Sequence, residues 1–328
     1  MQVSVVIPNH NHARTLPLVL DSVYAQTRPV AQVVVVDDAS TDGSLDVLRG
    51  YPCEVVALTV NRGVSTARNR GAGAATGDVL FFLDADTALA PDAVANAVRV
   101  LEREPDVGCV HGLISVEPLI DDGPVERYRV LHHHVGRLRA VGLVSTAFFA
   151  HAAIRRAVFE EVGPFDPGLR DNEDVEYSDR LARRTLIRLS ADVVGYHDDV
   201  QRLWPLLTET FRRSRHQATG AAAHRLRPGA VKGNSLLGVL AAPLVPATLP
   251  LALLGPWWLG VPAGWAALFA VANPRLSLVA LRTRGVGFLL FVTGAHFLVH
   301  LALWAGAVRG ALRLLRPRAV TRPAEEGA

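Results

Sequence analysis

The sequence predicts an α/β domain built on a mixed, mostly parallel sheet, followed by apolar helices able to span a membrane. Three observations predict it. Short β-branched runs alternate with helix-like stretches through the first half of the chain, the pattern of a parallel sheet covered by helices on both faces. The early runs each end in polar or acidic residues, as expected where an open sheet gathers ligands beyond the carboxyl ends of its strands. From residue 235 onward the chain turns into long uncharged stretches.

The first strand is expected over residues 2–7, broken by Pro8, Asn9, His10 and Asn11. Because it begins at the second residue, no cleavable leader is expected ahead of it. A helix is expected over residues 16–26 and a second strand over 32–36, which runs into Asp37 and Asp38. Ser40 or Thr41 is placed to cap the helix that carries Leu45 and Leu48. A third strand is expected over 55–59. A polar, Gly- and Arg-rich helix comes after Asn61, Arg62 and Gly63, and a fourth strand covers 79–83. That strand runs into Asp84 and Asp86. In an extended segment alternate residues point to one side, so the two carboxylates can converge and offer hard oxygen ligands to a divalent cation. An acidic turn is the simpler alternative, since Asp is common in turns. A late strand is expected over 186–194, just before Gly195, Tyr196 and His197.

Taken in order, several motifs resemble one family. Ile7-Pro8-Asn9-His10-Asn11, Val36-Asp37-Asp38-Ala39-Ser40, Asn61-Arg62-Gly63, Ala67-Arg68-Asn69 and Leu83-Asp84-Ala85-Asp86 come first. Val162-Gly163-Pro164-Phe165-Asp166 and Asn172-Glu173-Asp174 come later in the chain. The set resembles the family 2 glycosyltransferases of GT-A (Rossmann-like) fold, in particular membrane-anchored bacterial members, over roughly the first two-thirds of the chain. His10 departs from the aromatic usual at its place. The QxxRW element of processive members is absent, which favours transfer of a single sugar over polymerisation.

The resemblance implies a nucleoside-diphosphate sugar as donor, a divalent metal (Mn²⁺ or Mg²⁺) and inversion at the anomeric carbon. It implies that Asp86 contacts the metal, while Asp84 holds ribose or supports the metal through water. Asp38 accepts a hydrogen bond from the base, and Pro8 and Asn11 flank the base from the first loop. Arg68 is expected opposite the diphosphate. His197 matches a late histidine that completes the metal shell in related enzymes; a hydrogen-bonded structural role is the alternative. Asp174 is implied as the base that takes the acceptor's proton. Asp166 and Glu173 are expected on the acceptor side, raising its pKa, and Asn172 as the cap of the helix that starts near Glu173.

Composition bounds the rest. The chain of 328 residues has room for one catalytic domain and something smaller. Its division is expected at 1–228 for the catalytic domain and 229–328 for the membrane-associated region. A formal charge of +3 gives no argument for nucleic acid. The 2 cysteines, Cys53 and Cys109, have no metal-type spacing and fit a reducing compartment. Uncharged runs at 235–254, 257–272 and 286–308 approach the length of about 20 residues that spans a bilayer. Trp257, Trp258, Trp265 and Trp304 near their ends suit an aromatic belt.

Arg225, Arg227 and Lys232 precede the first run, which favours an inner-membrane protein whose catalytic domain faces the cytoplasm. Arg275, Arg282 and Arg284 are expected in a connection between the second and third runs. Arg309, Arg313, Arg316, Arg318 and Arg322 then come after the third run, where three full spans would place them on the opposite side. Arg212, Arg213 and Arg215 are placed to meet a lipid phosphate or simply to flank the membrane region. A membrane tail implies an acceptor that is lipid-linked or delivered at the membrane. His296 and His300 are expected to pack between helices, and His132, His133 and His134 to lie on a loop or helix surface. Two other classes fit an acidic α/β site: a nucleotidyltransferase acting on sugar phosphates, and an inactive glycosyltransferase-like membrane scaffold. The first lacks its Gly-rich basic phosphate loop here.

Overall fold

The computed structural model describes residues 1–217 and 234–314. In the first half, strand β1 (Val3–Asn9), helix α1 (Leu16–Tyr24), β2 (Gln32–Asp37), α2 (Ser44–Leu48), β3 (Glu54–Ala57), α3 (Val64–Ala74) and β4 (Val79–Leu83) alternate as the sequence predicts. They continue into β5 (Thr87–Leu89), α4 (Ala93–Arg103), β6 (Val107–Ile114), α5 (Pro124–Leu138), β7 (Gly142–Val144), β8 (His151–Arg155), α6 (Arg156–Val162), α7 (Glu173–Leu181) and β9 (Leu186–His197). The described strands form one sheet in the order β3-β2-β1-β4-β8-β6-β9-β5, with β7 also on β9. Strands β3, β2, β1 and β4 are mutually parallel, and β8 enters antiparallel between β4 and β6.

Every residue of β1 and β4 is buried, as continuous apolar runs in a covered parallel sheet should be. One face packs on Leu16, Val19, Leu20 and Val23 of α1 and on Val94, Ala97, Val98 and Leu101 of α4, stripes at helical spacing. On the other face Phe82 meets Phe149 and Phe165 edge-on. Gly71 lets α3 press onto the sheet: a Cβ there would lie 2.3 Å from Val6 Cγ1. That close approach seats Arg68, one turn earlier, against the rim.

Two capping expectations are corrected. Neither Ser40 nor Thr41 caps α2; the N–H of Ser44 is met instead by Asp42 Oδ1 at 3.0 Å. Asn172 does not cap α7 with its side chain, because its backbone is left-handed (φ 66°) and only its carbonyl serves the first turn. Of the two places expected for the three histidines at 132–134, they take the helix: they lie half-buried on α5. His134 Nδ1 is 2.7 Å from the carbonyl of Ile114, and His132 Nε2 is 3.0 Å from Asn234 Oδ1. Cys53 and Cys109 are free thiols.

The described chain divides into two compact units, one of residues 1–201, 234 and 274–289, the other of residues 202–217, 235–273 and 290–314. The second contains α8 (Leu203–Gln217), α9 (Leu236–Thr248), α10 (Gly260–Val271) and the later part of α11 (Pro274–Leu314). Its interior is built on Ala241, Ala242 and Phe269, flanked by Trp265, Leu268, Phe297 and Leu301. His296 and His300 are buried there, 4.3 Å apart by ring centroids, with His296 Nε2 3.1 Å from Asn273 Nδ2.

Two helical stretches, Leu236–Leu254 and Pro274–Leu312, are long and apolar enough to cross a membrane by length and composition, whereas Pro256–Val271 is shorter. Arg275, Arg282 and Arg284 lie between the second and third apolar runs, as expected, on the part of α11 that precedes Gly285. Pro274 is pre-organised for the first turn of a helix, and the helical geometry breaks at Gly285 (φ 77°). Arg213 pairs with Glu209 at 2.8 Å, an ordinary i,i+4 contact. Arg225, Arg227, Lys232, Arg316, Arg318 and Arg322, the side chain of Arg313 and the expected boundary at 228 lie outside the described residues.

Candidate active site

A cleft of about 430 Å³ opens at the carboxyl rim of β1, β2 and β4, and Pro8, Asp38, Arg68, Asp84, Asp86 and Glu173 are among its lining residues. The parallel register sets Asn9 beside Asp37, and Asn9 Nδ2 donates to Asp37 Oδ1 at 2.8 Å. Asp38 therefore leaves the sheet at the same level. Its two oxygens accept the backbone N–H groups of Arg62 and Gly63, each at 2.7 Å. Gly63 needs its freedom here, with φ at 90° as the chain turns into α3. Asn11 is not brought into the cleft. Its backbone is left-handed and its side-chain oxygen accepts the N–H of Thr41 at 2.7 Å. His10 and His12 line the cleft in its place.

Asp84 and Asp86 do meet the cleft, but not through extended alternation. The strand stops at Leu83, and residues 84–87 form a turn closed by Thr87 N to the carbonyl of Asp84 at 3.0 Å. The alternative acidic turn is thus the local structure, and it still holds both carboxylates at the rim. Burial pushes the Asp84 carboxyl up, Arg68 pulls it down, and Asp86 pushes it up again.

Arg68 borders the cleft, yet its side chain is only 2% exposed. Its guanidinium is buried and reaches three carboxylates: Asp84 at 2.9 Å, Asp174 at 3.0 Å and Glu173 at 3.2 Å. Burial opposes its charge, and Asp84, Asp174 and Glu173 outweigh that, so it stays cationic. One buried cation thereby draws together acids from the turn after β4 and the start of α7. Arg170, to which the sequence alone assigns no role, lines the same cleft and is hydrogen-bonded to the neutral Asn61 at 3.1 Å.

Asp174 Oδ2 accepts the N–H of Phe149 at 3.1 Å. Burial pushes its carboxyl up to about 6; Arg68 acts downward, and Glu173 and Asp84 act upward. Asp166 takes no part in this. It is exposed, and its carboxylate closes a turn by accepting Gly168 N at 2.8 Å.

His197 is carried to the site by register. β5 comes directly after the acidic turn and pairs antiparallel with β9, setting Thr87 opposite His197. His197 Nε2 lies 3.5 Å from Asp86 Oδ1 and Nδ1 lies 3.5 Å from Asp199 Oδ2. Burial disfavours the imidazolium, but Asp86 and Asp199 outweigh it and hold the ring up to about 9. Asp199, likewise without a role in the sequence alone, has Arg129 at 3.3 Å and His133 at 3.6 Å. Next to it Asp122, Glu126 and Asp198 form an acidic cluster whose oxygens lie within 4.8 Å of one another. Burial pushes Glu126 up to about 7 there. Helical spacing along α5 and the Asp pair at 198–199 were the available signals, but which face of α5 turns inward is a tertiary fact.

A carboxylate oxygen and an imidazole nitrogen at 3.5 Å are close enough for two ligands at about 2 Å each to share one cation. The donor set Asp86 and His197 therefore fits a divalent metal. Asp84 stands beside it with one oxygen already given to Arg68.

Known proteins resemble this chain in sequence and fold. Residues 4–163 match the family described as glycosyl transferase family 2. An uncharacterized glycosyltransferase of Nostoc sp. is 34% identical over 179 residues, covering 51% of this chain and 55% of that protein. An uncharacterized glycosyltransferase of Haemophilus influenzae is 25% identical over 181 residues, covering 53% and 60%. The chain thus spans between half and two-thirds of the length of these two relatives. Among solved structures, the mannosyltransferase PcManGT from Pyrobaculum calidifontis, in complex with GDP-Man and Mn²⁺, superposes with a TM-score of 0.58 at 26% identity, covering 95% of this chain and 87% of that one. The fold is GT-A. Over residues 4–163 the chain is similar to the family 2 glycosyltransferases.

Proposed function

We propose that the protein is an inverting glycosyltransferase that moves one sugar from a nucleoside-diphosphate sugar to a lipid-linked or membrane-delivered acceptor. The observation that carries this reading is the single cleft that gathers Asp38, Asp84, Asp86 and Glu173, with Asp174 on the same buried guanidinium. Asp38 and Pro8 border the base, and Asp84 supports the ribose side. Asp86 and His197 would hold a divalent cation, Mn²⁺ or Mg²⁺. When bound, that cation supplies Lewis-acid stabilisation of the charge gathering on the diphosphate. Arg170, whose guanidinium is not committed to a carboxylate among the described contacts, adds positive charge at the same mouth. Arg68 acts one layer deeper: it keeps Asp84, Glu173 and Asp174 close together despite their mutual repulsion.

Asp174 takes the proton of the acceptor hydroxyl as that oxygen bonds to the anomeric carbon. The bond from that carbon to the diphosphate oxygen breaks on the opposite side, which inverts the configuration. A screen of nucleotide release tests the reading, with detergent-solubilised protein, a panel of nucleotide sugars, and Mn²⁺ or Mg²⁺. Release of nucleoside diphosphate from one donor, dependent on the cation, is expected. Release of pyrophosphate from a sugar phosphate and a nucleoside triphosphate would replace transfer with nucleotidyl chemistry.

The apolar helices motivate the membrane side of the proposal, with the protein in the inner membrane and its catalytic domain toward the cytoplasm. Trp257 is 93% exposed and Leu253 89% exposed, side chains that water would not favour but a bilayer would. The full-length chain is expected to sediment with membranes and to resist carbonate extraction. A chain ending near Arg227 should stay in the supernatant without detergent. Full-length protein recovered in the cytosolic supernatant would remove the anchor from the reading.

A further inference from the structure

We propose that Asp199, clamped by one face of α5, is a positioning residue that aims His197 Nε2 at Asp86. The inference rests on the reading of Asp86 and His197 as the metal ligands. An imidazole presents a lone pair on one nitrogen only when the other carries the proton, and a carboxylate at that other nitrogen selects the tautomer and ring orientation. Here Asp199 Oδ2 stands 3.5 Å from Nδ1 on one side of the ring, and Asp86 Oδ1 stands 3.5 Å from Nε2 on the other. The ring therefore lies between two acids with opposite tasks, one to orient it and one to share its ligand.

Asp199 is itself fixed. Its side chain is 6% exposed, and Oδ1 accepts Val200 N at 2.7 Å and Arg129 Nε at 3.3 Å. Its backbone N–H donates to Glu126 Oε1 at 3.1 Å, and His133 Nε2 lies 3.6 Å from Oδ2. Glu126, Arg129 and His133 are spaced i, i+3, i+7, which puts them on one face of α5. That helix is tied to β6 by His134 at the Ile114 carbonyl and by Arg137 Nη1 to the Gly112 carbonyl at 3.3 Å. Arg129 holds the Asp199 carboxylate in place as it faces Nδ1. Orientation by such an outer partner is worth about 10–100-fold in metal affinity.

The test is Mn²⁺ binding to the full-length protein in detergent, by calorimetry and by pulsed electron paramagnetic resonance for nitrogen coupling to the ion. Wild type is expected to show one imidazole nitrogen, which His197→Ala removes. Asp199→Ala should bind Mn²⁺ about 10–100-fold more weakly and lose the nitrogen coupling, while its thermal unfolding remains cooperative. Should the single variant unfold because Arg129 is left unpaired, the double change Asp199→Ala with Arg129→Met removes that charge and is read by the same criteria. Native Mn²⁺ affinity with native nitrogen coupling in the folded Asp199 variant would overturn the positioning role and leave the metal ligands standing. Native affinity in His197→Ala, or wild type without nitrogen coupling, would overturn the ligand assignment and Asp199 with it.

Discussion

Asp174→Asn is expected to lower sugar transfer by at least ~10²-fold, the low end of what a general base contributes, with donor affinity nearly unchanged. The substitution keeps size and the acceptor oxygen that Phe149 N uses at 3.1 Å, so the loss reports the proton acceptor and not the fold. Burial pushes the Asp174 carboxyl up to about 6, against the pull of Arg68 and with the push of Glu173 and Asp84. Below that value the group holds a proton and cannot take another. The kcat/KM of wild type should therefore rise with pH through about 6 and then level, since this ratio reports the free enzyme. The Asn variant should lack that limb. Glu173→Gln removes a charge that pushes Asp174 up, so its limb should move to lower pH at a smaller cost in rate. Near-normal turnover in Asp174→Asn with a large loss in Glu173→Gln would move the base to Glu173, which lines the cleft itself. A product of retained configuration would overturn the single displacement, whichever acid proved essential.

The parts of the site that could be read from sequence are those set by local chain order. β1, β2 and β4 are continuous apolar runs, and parallel pairing brings the residues just past each carboxyl end to one rim. Asp38, Asp84 and Asp86 are placed by that rule alone. The features that escaped the sequence depend on contacts between distant residues. Arg68 looks like any helical arginine until Gly71 is seen to admit the helix onto Val6, which turns the guanidinium inward to acids 105 and 106 residues away. Asp199 meets Arg129 across 70 residues. The strands β5 and β7 are three residues each, too short for a period to show, yet β5 carries His197 to Asp86. In the tail, composition marks the apolar runs and places three arginines between two of them, but not that Pro274 starts a helix over those arginines, broken at Gly285 before the last run.

Asp86→Ala is expected to abolish the divalent dependence of donor binding while leaving the fold intact. The side chain is 25% exposed, and its carboxylate meets only Thr87 Oγ1, at 3.2 Å, and His197 among the described contacts. The structural role of residue 86 belongs to its backbone, whose carbonyl accepts Asp198 N at 2.9 Å and survives the substitution. No buried partner is stranded, in contrast with Asp84, whose removal would take a carboxylate from the buried Arg68. The expected loss is several kcal/mol of charge stabilisation, on the order of what a bound cation supplies to a diphosphate. Calorimetric titration of the donor with and without Mn²⁺ measures it, and a thermal melt checks the fold. Asp84→Asn is the informative companion. It keeps a hydrogen-bonding oxygen for Arg68 and removes the charge beside Asp86, so some cation dependence should remain. If Asp86→Ala binds donor with the Mn²⁺ response of wild type, while Asp84→Asn has lost it, the ligand is Asp84. His197, 3.5 Å from the other acid, would then have to be reassigned as well, because one register places both residues.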